Sequence, residues 1–376
     1  MILVDALRAD HLTAERMPNL TRRAQGGVRG ELRSPETHCL RAVGSLLMGV
    51  PTERLRRVRS RALGEEPVIP RLAWTLPEIL QCEGLRTAGF SANGYTSEPF
   101  GVTQGFEQFH NALRAYAGTT APAVLSVAES WIAAQQEERW FVYVHLMEPH
   151  VPYDPPAEFA PARPEGAVAP DATAGWVQAV QRGQRSATPA DAAWIASLYA
   201  AEVRTVDRAL DQFMDRLERR GALRDTLVVI VADHGELLGT AEEGGRFGHS
   251  EVAPSVSQVP FVALGPGRPH VVPTDATLAN VAPTILEALG IALPDRIEAA
   301  SFGPDALRPP VAATPPDYTT DSTRLSREVC ERLMRLGYVV APLDCRVYPT
   351  EQELLRARGQ GPDAPCDLHA NRHAQE

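Results

Sequence analysis

Three residues that could bind a divalent cation follow two short apolar segments of the sequence. Asp5 comes directly after Ile2-Leu-Val4, and Asp233 and His234 come directly after the apolar run that ends at Ala232. In an open parallel sheet, functional groups lie just past the carboxyl ends of the strands. Carboxylate oxygens and an imidazole nitrogen are suitable ligands for a divalent cation, although a single Asp at a strand end is more often a helix cap or a turn residue. The three residues together predict a metal site.

A cysteine at position 39 is the candidate nucleophile. Cys39 stands just ahead of a predicted short helix, Ala42 to Met48, which ends at Gly49. The unpaired N–H groups and the positive end of the dipole at a helix N-terminus lower the pKa of a thiol and favour an anionic substrate beside it. The alternative is a small cysteine buried in the core.

Alternating apolar strands and longer amphipathic stretches must position these side chains. Their order predicts a parallel α/β sheet covered on both faces. The predicted strands are short, rich in β-branched or aromatic residues and followed by polar turns; they are Ile2–Val4, Trp140–Leu146, Thr226–Ala232 and Val259–Leu264. Apolar residues at three- and four-residue spacing predict long helices over Ala190–Arg219 and Leu278–Leu289.

The chain divides into a large domain over residues 1–300 and a small C-terminal subdomain or tail over residues 301–376. Prolines that cluster after Ser301 mark the boundary. Residues 155–189 are rich in Pro, Ala and Gly with little periodicity, which predicts an insertion loop within the large domain. Beyond the boundary, the pattern predicts one helix and then a strand over residues 326–340.

The composition excludes several classes of protein. The 376 residues are 44% hydrophobic, enough for a sizeable core, and their net charge of −10 without a basic stripe argues against a nucleic-acid partner. The sequence contains no lysine, which excludes Schiff-base chemistry and a P-loop. No apolar run is long enough to span a membrane. Because no signal peptide precedes the first strand, we expect a cytoplasmic protein, or a periplasmic or secreted one if the true start lies upstream.

A series of short motifs runs along most of the chain. In chain order they are Val4–Leu12, Met17–Leu20, Ala88–Asn93, Gln104–Phe106, His145–Pro156, Ile230–Glu236, Phe247–His249, Val259–Gly267, Ala282–Leu286 and Leu333–Val339. In content and order they closely resemble the sulfatase family of the alkaline-phosphatase superfamily.

The resemblance implies an α/β fold, an alkaline-phosphatase-like three-layer α/β/α sandwich with a mostly parallel sheet and a small C-terminal subdomain. It also implies one divalent ion. Oxygen-rich ligation with one imidazole suits calcium, manganese or magnesium, and a cysteine that stays a thiolate favours zinc. The residues it implies are Asp5, Asp233, His234 and Cys39 as metal ligands, Cys39, His150 and His249 as catalytic groups, and Asn93 and His145 as substrate-binding groups. For His145, a hydrogen-bonded position in the core is an equal alternative.

The segment around the nucleophile departs from the family pattern. Family members that use formylglycine convert a cysteine or serine within Cys-x-Pro-x-Arg, whereas this chain reads Cys39-Leu-Arg41-Ala-Val43 and lacks both the Pro and the later Arg. We therefore expect Cys39 to remain unconverted. Arg41 is a further catalytic candidate, because a guanidinium binds oxyanions in a bidentate manner and could replace part of the lost positive charge.

The function that follows is a metal-dependent, sulfatase-like hydrolase that cleaves a sulfate ester, or a related phosphate ester, through a nucleophile at residue 39. The expected substrate is an ester of this kind on a small molecule, carbohydrate or lipid. One alternative is a phosphodiesterase, phosphonate hydrolase or phosphoryl-type transferase of the same superfamily. Another is a catalytically inactive binding protein that keeps the fold.

Overall fold

The computed structural model of the chain contains a mixed seven-stranded sheet flanked by helices. It describes residues 1–55, 59–60, 66–69, 73–111, 120–135, 138–169, 174–294 and 297–308. In chain order the strands are β1 (Ile2–Val4), β2 (Val28–Arg33), β3 (Arg59–Ser60), β4 (Glu66–Pro67), β5 (Arg86–Ser91), β6 (Gln108–Asn111), β7 (Trp140–Leu146), β8 (Val228–Val231), β9 (Leu237–Leu238), β10 (Phe247–Gly248) and β11 (Gln258–Leu264).

The large sheet has the strand order β2-β11-β8-β1-β7-β5-β6. Strand β11 runs antiparallel to both of its neighbours, and the remaining adjacent pairs are parallel. The predicted mostly parallel sheet is therefore confirmed. The short strands form two further antiparallel pairs, β3 with β4 and β9 with β10.

Two groups of helices flank the sheet. In chain order the α-helices are α1 (Pro18–Ala24), α2 (Cys39–Met48), α3 (Thr52–Leu55), α4 (Leu76–Cys82), α5 (Ala121–Ala134), α6 (Ala174–Gln181), α7 (Pro189–Arg219), α8 (Pro254–Ser257) and α9 (Val281–Ala288). Helix α7 packs against α1 and α5, and α2 packs against α4 and α9. Short 3₁₀ turns lie over Ala9–His11, Glu98–Phe100 and Leu278–Asn280.

The three central strands bring their carboxyl ends together. Strands β1, β7 and β8 are almost wholly apolar and buried, as expected for parallel strands covered on both faces. Ile2 pairs with Val144 on one side and with Ile230 on the other, so the chain leaves all three strands at one edge. The backbone N–H of Asp5 donates to the carbonyl of Leu146 at 2.9 Å and continues the pairing one residue beyond β1.

The long helix α7 begins one residue before its predicted start, because Thr188 and Asp191 form a capping box. The N–H of Asp191 donates to Oγ1 of Thr188 at 3.1 Å, and the N–H of Thr188 donates to Oδ2 of Asp191 at 2.9 Å. The other predicted long helix, Leu278–Leu289, is wrong in its first turn, which is a 3₁₀ turn ahead of α9. There the side chain of Asn280 accepts hydrogen bonds from Thr277 and closes a tighter turn.

The predicted insertion over residues 155–189 is only partly a loop, since it holds α6. Residues 155–169 contain no helix or strand. The predicted helix and strand over residues 326–340 lie outside the described residues, as does most of the predicted C-terminal subdomain. Among the described helices, none combines the length and the apolar character that a membrane crossing requires.

Candidate active site

Asp5 and Asp233 lie close together at the carboxyl edge of the sheet, because they follow adjacent parallel strands. Both side chains are fully buried. Oδ1 of Asp233 accepts a hydrogen bond from the N–H of Ala6 at 3.2 Å, and the hydroxyl of Tyr199 donates to the carbonyl of Ala6 at 2.8 Å. Ala6 has a φ of 58°, a left-handed conformation that costs free energy in a residue with a Cβ. The side chains of Asp233, which follows β8, and Tyr199 of α7 thus hold the strained turn at Ala6 in place.

His234 completes a group of buried atoms without hydrogen-bond partners. Its Nδ1–H donates to the carbonyl of Gly235 at 2.9 Å, which leaves the lone pair on Nε2 free. Nε2 lies 3.7 Å from Oδ1 of Asp5 and 3.6 Å from Oδ2 of Asp233. Among the described residues these three atoms have no hydrogen-bond partner, a costly state for buried polar atoms.

A divalent cation fits this arrangement. Ligand atoms about 2 Å from a shared ion stand roughly 3 to 4 Å apart, and the observed separations lie in that interval. Two neighbouring carboxylates repel each other unless positive charge lies between them. The structure thus brings together Asp5, Asp233 and His234, which the sequence predicts as ligands.

Cys39 lies beside the two carboxylates as the first residue of α2. The predicted start of this helix at Ala42 is three residues late, because the ring of His38 accepts a hydrogen bond from the N–H of Leu40 at 3.3 Å and caps the helix. Sγ of Cys39 and a carboxylate oxygen of each aspartate lie within 4.8 Å of one another. The cysteine is therefore part of the site and not a distant core residue.

The surroundings of Cys39 raise the pKa of its thiol, opposite to the lowering that we expected at a helix N-terminus. Burial is the largest cause, and the carboxylates of Asp233 and Asp5 raise the pKa further. The amide of Asn93 lowers it by a hydrogen bond but does not outweigh the other causes. A cation between the two carboxylates would cancel their effect on the thiol.

Asn93 connects the cysteine to the aspartate at the end of β1. Its Nδ2 donates to Oδ2 of Asp5 at 2.7 Å and to Sγ of Cys39 at 3.3 Å. Its Oδ1 accepts from the N–H of Tyr95 at 2.8 Å, which fixes the orientation of the amide. Asn93 is buried, and it stands within reach of any group attached to the sulfur of Cys39.

His145 supports Asp5 from within the core. Its Nε2–H donates to Oδ2 of Asp5 at 3.1 Å, and its Nδ1 accepts from the hydroxyl of Tyr143 at 2.9 Å. One of its ring nitrogens lies within 4.8 Å of ligand atoms of Asp5, Asp233 and Cys39, but both nitrogens are already hydrogen-bonded, so His234 is the better ligand. The ring is fully buried. Of the two alternatives for His145, the geometry favours the core position over substrate contact.

His150 and His249 stand next to His234 and form a cluster of three imidazoles. The ring centres of His150 and His249 are 5.1 Å apart, and those of His249 and His234 are 4.3 Å apart. His249 donates from Nδ1 to Oε1 of the buried Glu236 at 3.0 Å. Burial raises the pKa of Glu236, but the charges of His249, His150 and His234 lower it overall. Burial raises the pKa of Asp5, but the charge of His150, a hydrogen bond from His145 and the charges of His145 and His234 hold it below its usual value.

Arg41 is paired with an acidic residue of its own segment. Its guanidinium lies 3.1 Å from a carboxylate oxygen of the buried Glu36, and its buried Nε has no hydrogen-bond partner in the part of the chain that the structure describes. Part of its positive charge is therefore offset by Glu36, a pairing that was not predicted. Its role with the substrate stays a prediction.

Three residues without a predicted role hold the loop that carries His249. They are Glu236, Arg8 and Glu243. Arg8 donates to the carbonyl of Glu236 at 3.1 Å and to the carboxylate of Glu243 at 2.6 Å. Oε2 of Glu243 in turn accepts from the N–H of Leu238 at 2.7 Å. Arg8 lies within the motif Val4–Leu12 and Glu236 within Ile230–Glu236, which mark both in the sequence, whereas no such motif includes Glu243.

Comparison with known families gives one decisive match. The family model described as Sulfatase matches residues 1–291 of this chain, and this range includes every residue of the candidate active site. The chain belongs to the sulfatase family. The described α/β fold agrees with this membership.

Two curated proteins that match part of this chain are named for different activities. The low-salt glycan biosynthesis sulfotransferase Agl7 of Haloferax volcanii is 40% identical over 87 residues, 21% of this chain and 20% of that protein. Arylsulfatase K of Bos taurus is 31% identical over 114 residues, 30% of this chain and 21% of that protein. The alignments thus span about a fifth of the length of these curated relatives.

Among solved structures, the phosphonate monoester hydrolase of Silicibacter pomeroyi superimposes with a TM-score of 0.63 at 20% identity. The superposition covers 80% of this chain and 74% of that one. At this identity the similarity shows the shared α/β fold, with the mostly parallel sheet and flanking helices that the motifs imply.

Proposed function

We propose that this sulfatase-family chain is a metal-dependent hydrolase of sulfate esters or related phosphate esters, with Cys39 as its nucleophile. One observation carries the proposal. At one sheet edge, three buried ligand atoms have no hydrogen-bond partner among the described residues, and the sulfur of Cys39 and two further imidazoles lie near them. This arrangement joins an anion-binding charge, a nucleophile and proton donors within one site.

The ligands of the ion in this proposal are Asp5, Asp233, His234 and the sulfur of Cys39. When bound, a divalent ion supplies positive charge that stabilises the negative charge of the transition state. The chain's own residues orient the site: His145 and Asn93 fix Oδ2 of Asp5, and the carbonyl of Gly235 fixes the ring of His234.

The reaction divides into two displacements. Cys39 loses its thiol proton to water, its sulfur bonds to the sulfur or phosphorus of the ester, and the bond to the leaving oxygen breaks. His249 or His150 gives a proton to that oxygen, a task suited to imidazole because its ordinary pKa lies near neutral pH. Water then attacks the same sulfur or phosphorus atom and breaks its bond to the sulfur of Cys39, which takes up one proton of the water. The released acid is sulfate or phosphate from a monoester, a phosphate monoester from a diester and a phosphonate from a phosphonate monoester. Glu236 holds the ring of His249 for proton transfer.

The proposal is tested by hydrolysis of an aryl sulfate, an aryl phosphate diester and a phosphonate monoester, each with calcium, manganese and zinc. We expect turnover of at least one ester with one ion, and its loss in Cys39→Ala. Asp225→Asn, at an exposed turn residue, is the control that keeps activity. Absence of turnover under every condition overturns the proposal and favours an inactive binding protein.

A transferase is the second candidate, favoured by the 40% identity to a sulfotransferase over 87 residues. In this alternative, an alcohol of a second substrate takes the place of water in the second displacement. Transfer of the sulfuryl or phosphoryl group to an added alcohol such as glycerol, measured by mass spectrometry, separates the two candidates. Release of inorganic sulfate or phosphate alone favours the hydrolase.

A further inference from the structure

We infer that Cys39 binds the ion as a thiolate and that the site thereby selects zinc over calcium. The inference rests on the ion site of the proposed function and concerns the identity of the ion, not that of the ester. The observation that carries it is the position of the Cys39 sulfur beside Asp5 and Asp233, whose unpartnered buried oxygens lie within 3.7 Å of Nε2 of His234.

The sulfur is held at the two carboxylates by structure from two parts of the chain. The backbone of Cys39 is fixed as the first residue of α2, and Nδ2 of Asn93 donates to its sulfur at 3.3 Å. Sγ and an oxygen of each of Asp5 and Asp233 are within 4.8 Å of one another. A thiolate and two carboxylates this close together require a cation between them.

The described residues do not supply the oxygen shell that calcium takes, which is about six to eight oxygen ligands. Oδ1 of Asn93 is used by the N–H of Tyr95, and Oδ2 of Asp5 is used by Asn93 and His145. Oε2 of Glu236 is also buried and has no hydrogen-bond partner among the described residues. Glu236, like His234, is outside the group of ligand atoms within 4.8 Å of one another, but Nε2 of His234 lies 3.7 Å from Asp5 and 3.6 Å from Asp233. Two carboxylate oxygens remain as hard donors.

The donors that remain are one imidazole nitrogen, one sulfur and two carboxylate oxygens. Zinc commonly binds four ligands of these types, and a thiolate favours zinc over the hard calcium ion. Cobalt(II) accepts the same types of ligand. A thiolate bound to cobalt(II) produces a sulfur-to-metal charge-transfer band in the near ultraviolet, which an oxygen ligand does not.

The test measures the ion directly and needs no substrate. The full chain is stripped of metal with a chelator, loaded with one equivalent of cobalt(II), and its absorption spectrum is recorded. Competition between zinc and calcium is then measured by titration with elemental analysis. We expect a charge-transfer band in the unsubstituted protein, displaced by zinc and not by calcium.

Cys39→Ser should bind cobalt(II) without the band and lose at least about 100-fold of its preference for zinc over calcium, because the soft ligand is gone. Cys366→Ser, which changes a cysteine elsewhere in the sequence, is the matched control and must keep the band. A band that persists in Cys39→Ser, or cobalt(II) bound in the unsubstituted protein without a band, overturns the inference.

The outcomes separate this inference from the proposed function. A band in a protein that hydrolyses no ester supports the thiolate ligand and overturns the hydrolase. Turnover with calcium in a protein that shows no charge-transfer band supports the hydrolase and overturns the thiolate ligand. Because the band is read from the unsubstituted protein, a Cys39→Ser protein that fails to fold does not prevent a decision.

Discussion

Replacing Asp233 by Asn tests the cation site through protein stability. Oδ1 of Asp233 accepts from the N–H groups of Ala6 and His234, at 3.2 and 2.9 Å, and an amide oxygen can accept both bonds. The substitution therefore changes the unpartnered Oδ2, 3.6 Å from Nε2 of His234, into an NH₂ group that cannot bind a cation. Metal binding is removed while the local hydrogen bonds stay.

The expected size follows from mass action. An ion present at about 100 times its Kd adds about 2.7 kcal/mol to the free energy of unfolding of the unsubstituted protein. With an unfolding entropy of about 2 cal/mol/K per residue, that gain raises Tm by roughly 4 °C in a chain of this size. For Asp233→Asn we expect an ion-induced rise below about 1 °C. In excess chelator the variant should be at least as stable as the unsubstituted protein, since one of two neighbouring buried carboxylates is neutralised.

The assay is thermal unfolding followed by circular dichroism, once with excess chelator and once with excess zinc or calcium, with metal content measured on the same samples. Asp225→Asn, in an exposed turn, removes the same charge away from the site and should show the full ion-induced shift. Equal shifts in Asp233→Asn and the unsubstituted protein, or unchanged metal content in Asp233→Asn, would refute the reasoning.

His150→Ala and His249→Ala should each reduce turnover by about two to four orders of magnitude with near-normal metal content, and unchanged rates on the accepted ester would remove them from the mechanism. Peptide mass spectrometry should show Cys39 as an unmodified thiol; a lighter, hydrazide-reactive peptide would contradict this. Burial raises the pKa of Glu202 to about 7, from an ordinary value of 4.5, so its carboxylate lowers stability increasingly as pH rises through that interval. Glu202→Gln keeps an acceptor for the N–H of Asp154 and should add up to about 3 kcal/mol at pH 8 and nothing at pH 4, measured by thermal unfolding; a pH-independent difference would exclude titration as the cause.

The positions of four strands of the large sheet were predictable because they depend on local patterns, whereas β2, β5 and β6 of the same sheet were not among the predicted strands. The predicted bounds of β1 and β7 agree with the structure, and β8 and β11 differ by one or two residues at their ends. Each is an apolar run that ends at a polar turn, and only a strand covered on both faces buries such a run completely. The first turns of α2 and α9 were less predictable, because side-chain hydrogen bonds from His38 and Asn280 decide them.

The amino-acid sequence alone indicates that Asp5 and Asp233 each follow a strand, that Cys39 stands just ahead of a helix, and that the family pattern around it is incomplete. These properties are read from neighbouring residues, and parallel pairing brings the strand ends to one edge. The raised pKa of the Cys39 thiol and the support that His145 gives Asp5 from within the core become visible in the folded arrangement. The physical reason is that desolvation, charge and hydrogen bonding at a buried atom depend on side chains contributed by distant parts of the chain.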